Sequence, residues 1–188
     1  MGVPLRIYFA APIVKKANQS TTEHFQWMEQ RKNMRDMIVR MLNALHDEFP
    51  EYSGCTFYDP MKMQVPNAWC MDSETWAHCV FSIDVHELDA ANVVVFLDYG
   101  RECTFGTAWE VGYAFAKDKR IIQIMMPPQE EDKDVPTSVM AVGSAWRCEG
   151  YNLLMKQFGD AEKPIDPKDA DKFFSNSNLR DGIGYGFA

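Results

Sequence analysis

Asn92-Val93-Val94-Val95-Phe96-Leu97-Asp98, then Gly106-Thr107-Ala108-Trp109-Glu110-Val111-Gly112-Tyr113-Ala114, then Arg120-Ile121-Ile122-Gln123-Ile124-Met125-Met126: this stretch decides the fold. An unbroken apolar run, Val93–Leu97, and a second apolar run interrupted only at Gln123, both of strand length, flank a segment read as a helix from Thr107 to Lys117. Unbroken runs are what strands buried on both faces look like, and a helical crossover is what joins a parallel pair. Working outward, Leu5–Ala10 reads as a strand stopped by Pro12, and Ser20 with Glu23 has capping-box spacing for a long helix. That helix carries Met34, Met37, Ile38, Met41, Leu42, Leu45 and Phe49 at the i+3/i+4 spacing of one buried face, and Pro50 ends it. A short strand is expected near Cys55–Tyr58, then irregular chain to about Asp72, then a helix from roughly Glu74 to Ala91. Strands alternating with helices predict a layered α/β domain with a mainly parallel sheet. Past the strand at Arg120, an acidic loop over Glu130–Asp134 precedes a short helix expected near Pro136–Ala145. The domain is expected over residues 1–158. Residues 159–188 form a tail rich in Asp, Lys, Asn and Gly that composition alone would call flexible.

The 188 residues suit one domain. No apolar run approaches the roughly 20 residues of a membrane span, and the N-terminus lacks the basic-then-apolar layout of a secretory signal. A cytoplasmic protein is the expectation. A net charge of −8 argues against nucleic-acid binding, which needs a basic face. The five cysteines are odd in number and form no CxxC pair, so neither a disulfide framework nor a zinc site is expected. The four histidines show no metal spacing.

In an open parallel sheet, ligands bind beyond the carboxyl ends of the strands. Three such ends carry unusual residues: Tyr8 through Pro12, Asp98 through Thr107, and the loop at Pro127. Gly106 permits a close backbone turn into a helix whose free N–H groups suit an anion or a polar sugar. Glu110 has two readings. Thr107-Ala108-Trp109-Glu110 is a capping box that would employ the carboxylate locally. Yet the helix is apolar all round and expected to be buried, which makes the same carboxylate a partly desolvated, reactive group that the helix N-terminus would keep ionised. Asp84 interrupts the apolar row Trp76, Val80, Leu88 of the preceding helix, either as a tolerated edge residue or as a partner for Glu110. Two carboxylates flanking a cleft are equipment for cleaving a glycosidic bond, one as nucleophile and one as acid. Tyr8 is then either a strand aromatic or a hydrogen-bond donor to the nucleophile. Met61-Lys62-Met63-Gln64 is a weak candidate border for a flat aromatic ligand.

Ile7-Tyr8-Phe9-Ala10-Ala11-Pro12, Trp76 with Asp84, Gly106 through Ala114, Pro136-Thr137-Ser138-Val139-Met140 and the closing Gly184-Tyr185-Gly186-Phe187 together resemble the nucleoside 2-deoxyribosyltransferases. The resemblance covers most of the chain and is thinnest over residues 55–72. It implies a flavodoxin-like doubly wound fold and exchange of 2-deoxyribose between bases without a metal or organic cofactor. Glu110 would attack the anomeric carbon, Asp84 would protonate the departing base, and Tyr8 would position Glu110. Substrate contacts would fall to Ala11, Pro12, Asp59, Asp98, Thr104, Gly106, Ser138 and Tyr185. The implied partners are deoxynucleosides or deoxynucleotides, free nucleobases, and further copies of the chain, with Ser138 or the tail completing a neighbour's site and the tail, residues 159–188, packing near the active site. Thr104 and Ser138 depart from the transferase pattern, which has Asp and Asn there. Hydroxyls at both places are similar to the deoxynucleoside 5′-monophosphate N-glycosidases, and the absent carboxylate lessens repulsion of a phosphate. Hydrolysis of a nucleoside monophosphate is therefore a second reading, and a non-catalytic nucleotide-binding module a third.

Overall fold

The computed structural model describes residues 4–12, 21–100, 105–127 and 144–175. Five strands, β1 (Arg6–Ala10), β2 (Thr56–Tyr58), β3 (Val93–Asp98), β4 (Arg120–Met125) and β5 (Arg147–Gly150), form one sheet in the order β2-β1-β3-β4-β5. Every pairing is parallel. This is the doubly wound flavodoxin-like order, whose switch point lies between β1 and β3. The helices are α1 (Thr21–Glu48), α2 (Ser73–Ala90), α3 (Phe105–Ala116), α4 (Tyr151–Phe158) and α5 (Pro167–Ser175). No helix among the described residues is long and apolar enough to cross a membrane.

Strand alternation divides the core between the two faces. Ile7, Phe9, Val93, Val95, Leu97, Ile122 and Ile124 pack against the predicted stripe of α1 and against α4 and α5. Tyr8, Ala10, Val94, Phe96 and Ile121 point the other way, onto Leu88 of α2 and Val111 and Ala114 of α3. All six residues of β3 are buried, as the unbroken run requires of a central strand.

Three expectations change. The helix α3 starts at Phe105, two residues before the expected cap, and only one of its faces meets the sheet. Phe105 is 98% exposed, Trp109 43% and Phe115 49%, because no further layer among the described residues covers the outer side. An apolar sequence states a preference for burial, not the presence of a cover. The tail is ordered as far as Ser175: α5 packs on α1 with Ala170, Phe173 and Phe174 buried, and Arg120 donates from its guanidinium to the Phe174 carbonyl. Finally, β5 and α4 were not anticipated. Most of the short helix expected over 136–145 lies outside the described residues, as do Ser20 and the final thirteen residues of the tail.

Candidate active site

Tyr8 is the third residue of β1 and projects toward α2 and α3. The β1–β2 register sets Tyr58 beside it, with ring centroids 5.3 Å apart. The Tyr8 hydroxyl donates to Glu110 Oε1 at 2.8 Å, a contact spanning 102 residues of sequence. The Tyr58 hydroxyl donates to Asp84 Oδ1 at 3.0 Å. Two carboxyl groups, from α2 and α3, thus meet two adjacent tyrosines near the switch point.

The capping-box reading of Glu110 fails here. With α3 beginning at Phe105, Thr107 is an interior, buried residue, and Glu110 lies in the second turn, reaching Tyr8. The expectation that the helix N-terminus keeps Glu110 ionised is corrected too. Burial, reinforced by the charge of Asp84, pushes its pKa up to about 8 against the opposing hydrogen bond from Tyr8 and the charge of Arg31. Macrodipole stabilisation fades beyond the first turn, whereas desolvation acts on the whole carboxyl. Burial likewise raises Asp84, opposed by hydrogen bonds from Tyr58 and Tyr8, with the charge of Glu87 adding to the rise. The phenols of Tyr8 and Tyr58 are pushed well above the usual tyrosine range, first by burial and then by the neighbouring carboxylates.

Asp59 and Asp98 have their oxygens engaged by the protein. Arg31 donates to both oxygens of Asp59, the Met61 N–H donates to Oδ1 at 3.0 Å, and Arg35 Nε lies 3.2 Å from Oδ2. Arg31 is 4% exposed, with its guanidinium over the Phe9 ring. Asp98 Oδ1 accepts from the Gly100 N–H at 2.8 Å and Oδ2 from Gln123 of β4, shaping the exit from β3. Gly100 has φ +65°, a conformation that glycine adopts without strain and that turns the chain sharply there. Ala11 and Pro12 are buried just past β1, and Gly106 is an exposed residue at the start of α3. Thr104, Ser138 and Tyr185 lie outside the described residues. Among the described residues no cluster of His, Cys, Asp and Glu is suited to a metal ion.

Sequence reading missed Tyr58 and Arg31. Arg31 had a signal, since it interrupts the row Trp27, Met34, Ile38 on α1 as Asp84 interrupts its own row. Tyr58 had none, because only the strand register brings it beside Tyr8.

The nucleoside 2-deoxyribosyltransferase family model matches residues 7–140. Among solved structures, a 2-deoxyribosyltransferase from the psychrotolerant Bacillus psychrosaccharolyticus superposes with TM-score 0.50 at 22% identity, over 79% of this chain and 88% of that one. A conserved protein from Enterococcus faecalis V583 does so with TM-score 0.50 at 17% identity, over 83% of this chain and 98% of that one. The CMP N-glycosidase of Clostridium botulinum aligns over 80% of this chain and 95% of its own, with TM-score 0.42 and 15% identity. No curated protein matches the chain in sequence. The similarity at TM-score 0.50 bears on the fold, and the family match on the chain itself.

Proposed function

This chain belongs to the nucleoside 2-deoxyribosyltransferase family, enzymes that act on N-glycosidic bonds, and from that premise we propose that it exchanges the base of a 2′-deoxynucleoside through a covalent deoxyribosyl-Glu110 intermediate. The observation that carries the reading is the Tyr8–Glu110 hydrogen bond beside Asp84: a candidate nucleophile, its orienting donor and a second carboxyl share one partly buried site. Glu110 attacks C1′ of the sugar. The C–N bond breaks, its electron pair goes to the base nitrogen, and that nitrogen takes the proton of Asp84. The incoming base gives a proton back to Asp84 as its own nitrogen attacks C1′, which frees Glu110 with the sugar's configuration retained.

Burial favours the proton on Glu110 in the free protein, so this division of labour requires that proton to pass to Asp84. Two neighbouring carboxyls shifted upward hold a proton between them at neutral pH, and they titrate as a pair. The charge of Asp84 is one of the forces raising Glu110, so a proton on Asp84 removes that force. The Tyr8 hydrogen bond and Arg31 then act on Glu110 in favour of its charge. The state with the proton on Asp84 and the charge on Glu110 is the one the reaction needs.

Incubation with a 2′-deoxynucleoside and a different free base tests the reading. A new nucleoside is expected, and Glu110→Ala abolishes it. The hydroxyls of Thr104 and Ser138 favour a second reading, hydrolysis of a 2′-deoxynucleoside 5′-monophosphate. Release of deoxyribose 5-phosphate without exchange would establish that reading, and nucleotide binding with neither product would leave a binding module. We further propose that the chain self-associates, as the exposed aromatic side of α2 and α3 supports.

A further inference from the structure

Among the described residues, Tyr58 is the one hydroxyl at the carboxyl pair to which the exchange reaction assigns no task. A carboxylic acid that hands a proton to a ligand must carry it on the oxygen facing the ligand, and a freely turning carboxyl does so only part of the time. Asp84 is not left to turn. The Tyr58 hydroxyl donates to its Oδ1 at 3.0 Å, and the tyrosine is itself held by β2 in register with β1 and by its ring against Tyr8. Burial and the carboxylates around it disfavour the phenolate, so Tyr58 remains a donor through the working pH range.

We infer that Tyr58 is a positioning residue for Asp84: by donating to Oδ1 it reserves Oδ2 for the transferable proton and fixes the plane of the carboxyl. The inference deepens the exchange reading and rests on Asp84 being the acid. Four groups bear on Asp84: Tyr58 from β2, Tyr8 from β1, Glu110 from α3, and Glu87 on its own helix. The two tyrosines favour the ionised carboxyl, and Glu87 and Glu110 oppose it. Removing the Tyr58 hydroxyl therefore has a definite sign: the pair keeps its last proton to higher pH.

The test compares wild type with Tyr58→Phe, which keeps the ring against Tyr8. The substrate is a 2′-deoxynucleoside with a second base, run in parallel with the 5′-monophosphate. In the variant, the alkaline limb of the rate profile moves up by about one pH unit. The kcat falls about tenfold while KM stays within about twofold. In the free proteins, the carboxyl titration followed by 13C NMR moves up in parallel. A merely structural ring moves neither limb nor titration. An alkaline limb that stays in place or moves down, with active wild type, overturns the role of Tyr58 and leaves the dyad standing. A wild type that cleaves neither substrate defeats the dyad instead. In that event the carboxyl titration still decides, since identical titrations in the two free proteins overturn the inference.

Discussion

Glu110 destabilises the fold it serves. An unfolded carboxyl of this type ionises near pH 4.5, whereas in the folded protein it holds its proton to about 8. Between those values the folded state binds the extra proton, so stability declines as pH rises, at most by about 1.4 kcal/mol per unit, and is level above the window. Glu110→Gln has no proton to lose. Its melting temperature is expected to match wild type below pH 4.5, to exceed it increasingly toward about pH 8, and to stay higher beyond, while exchange activity is lost. Thermal melts across pH check this, and a difference that shrinks with rising pH would contradict it. Arg31 and Asp59 act the other way: each leaves the other uncompensated if removed, and the pairing holds the Arg31 guanidinium where its charge acts on Glu110.

The elements differ in how much of them could be read. The α1 stripe from Met34 to Leu45 was legible, because a 28-residue helix repeats its period many times, whereas Phe49 falls just past the helix in extended backbone. β2 has three residues and shows barely one repeat, so its Tyr58 could not be told from filler. α5 hides Ala170, Phe173 and Phe174 at helical spacing among Asp and Lys, and composition averages that pattern away. Phe174→Ala empties a fully buried site between α5 and the sheet and is expected to cost about 3–5 kcal/mol in denaturant unfolding. Since α5 lies on the opposite face of the sheet from Tyr8 and Glu110, exchange per folded molecule should be unchanged. Equal stability in the variant would mean that α5 is not part of the cooperative unit.

At the scale of the molecule, the β2-β1-β3-β4-β5 order puts the switch point beside β1, where Tyr8 and Tyr58 stand on adjacent strands and Asp84 and Glu110 come from the two helices on that face. The outer side of those helices carries Trp76, Phe81, Trp109 and Phe115, with Phe81 and Trp109 in ring contact at 5.1 Å. Exposed aromatic surface around such a ring pair is a mark of association. Sedimentation is expected to give a mass above the 21.6 kDa of one chain. The double substitution Phe81→Glu and Phe115→Glu should lower that mass without lowering the melting temperature, and a wild-type monomer would refute self-association.

By itself the sequence determined the alternation of strand and helix, the buried central run of β3, the face of α1, and the residue types able to cleave a glycosidic bond. All of these rest on local periodicity and side-chain chemistry, which neighbours in the chain suffice to display. Only the tertiary structure decided that Glu110 meets Tyr8 rather than its own helix cap, that Asp84 has Tyr58 for a partner, that Asp59 is held by Arg31, and that none of the described residues covers the aromatic side of α3. Each of these depends on register or cover between segments tens of residues apart. The free energy that sets such contacts comes from burial in the assembled layers, which no single segment contains.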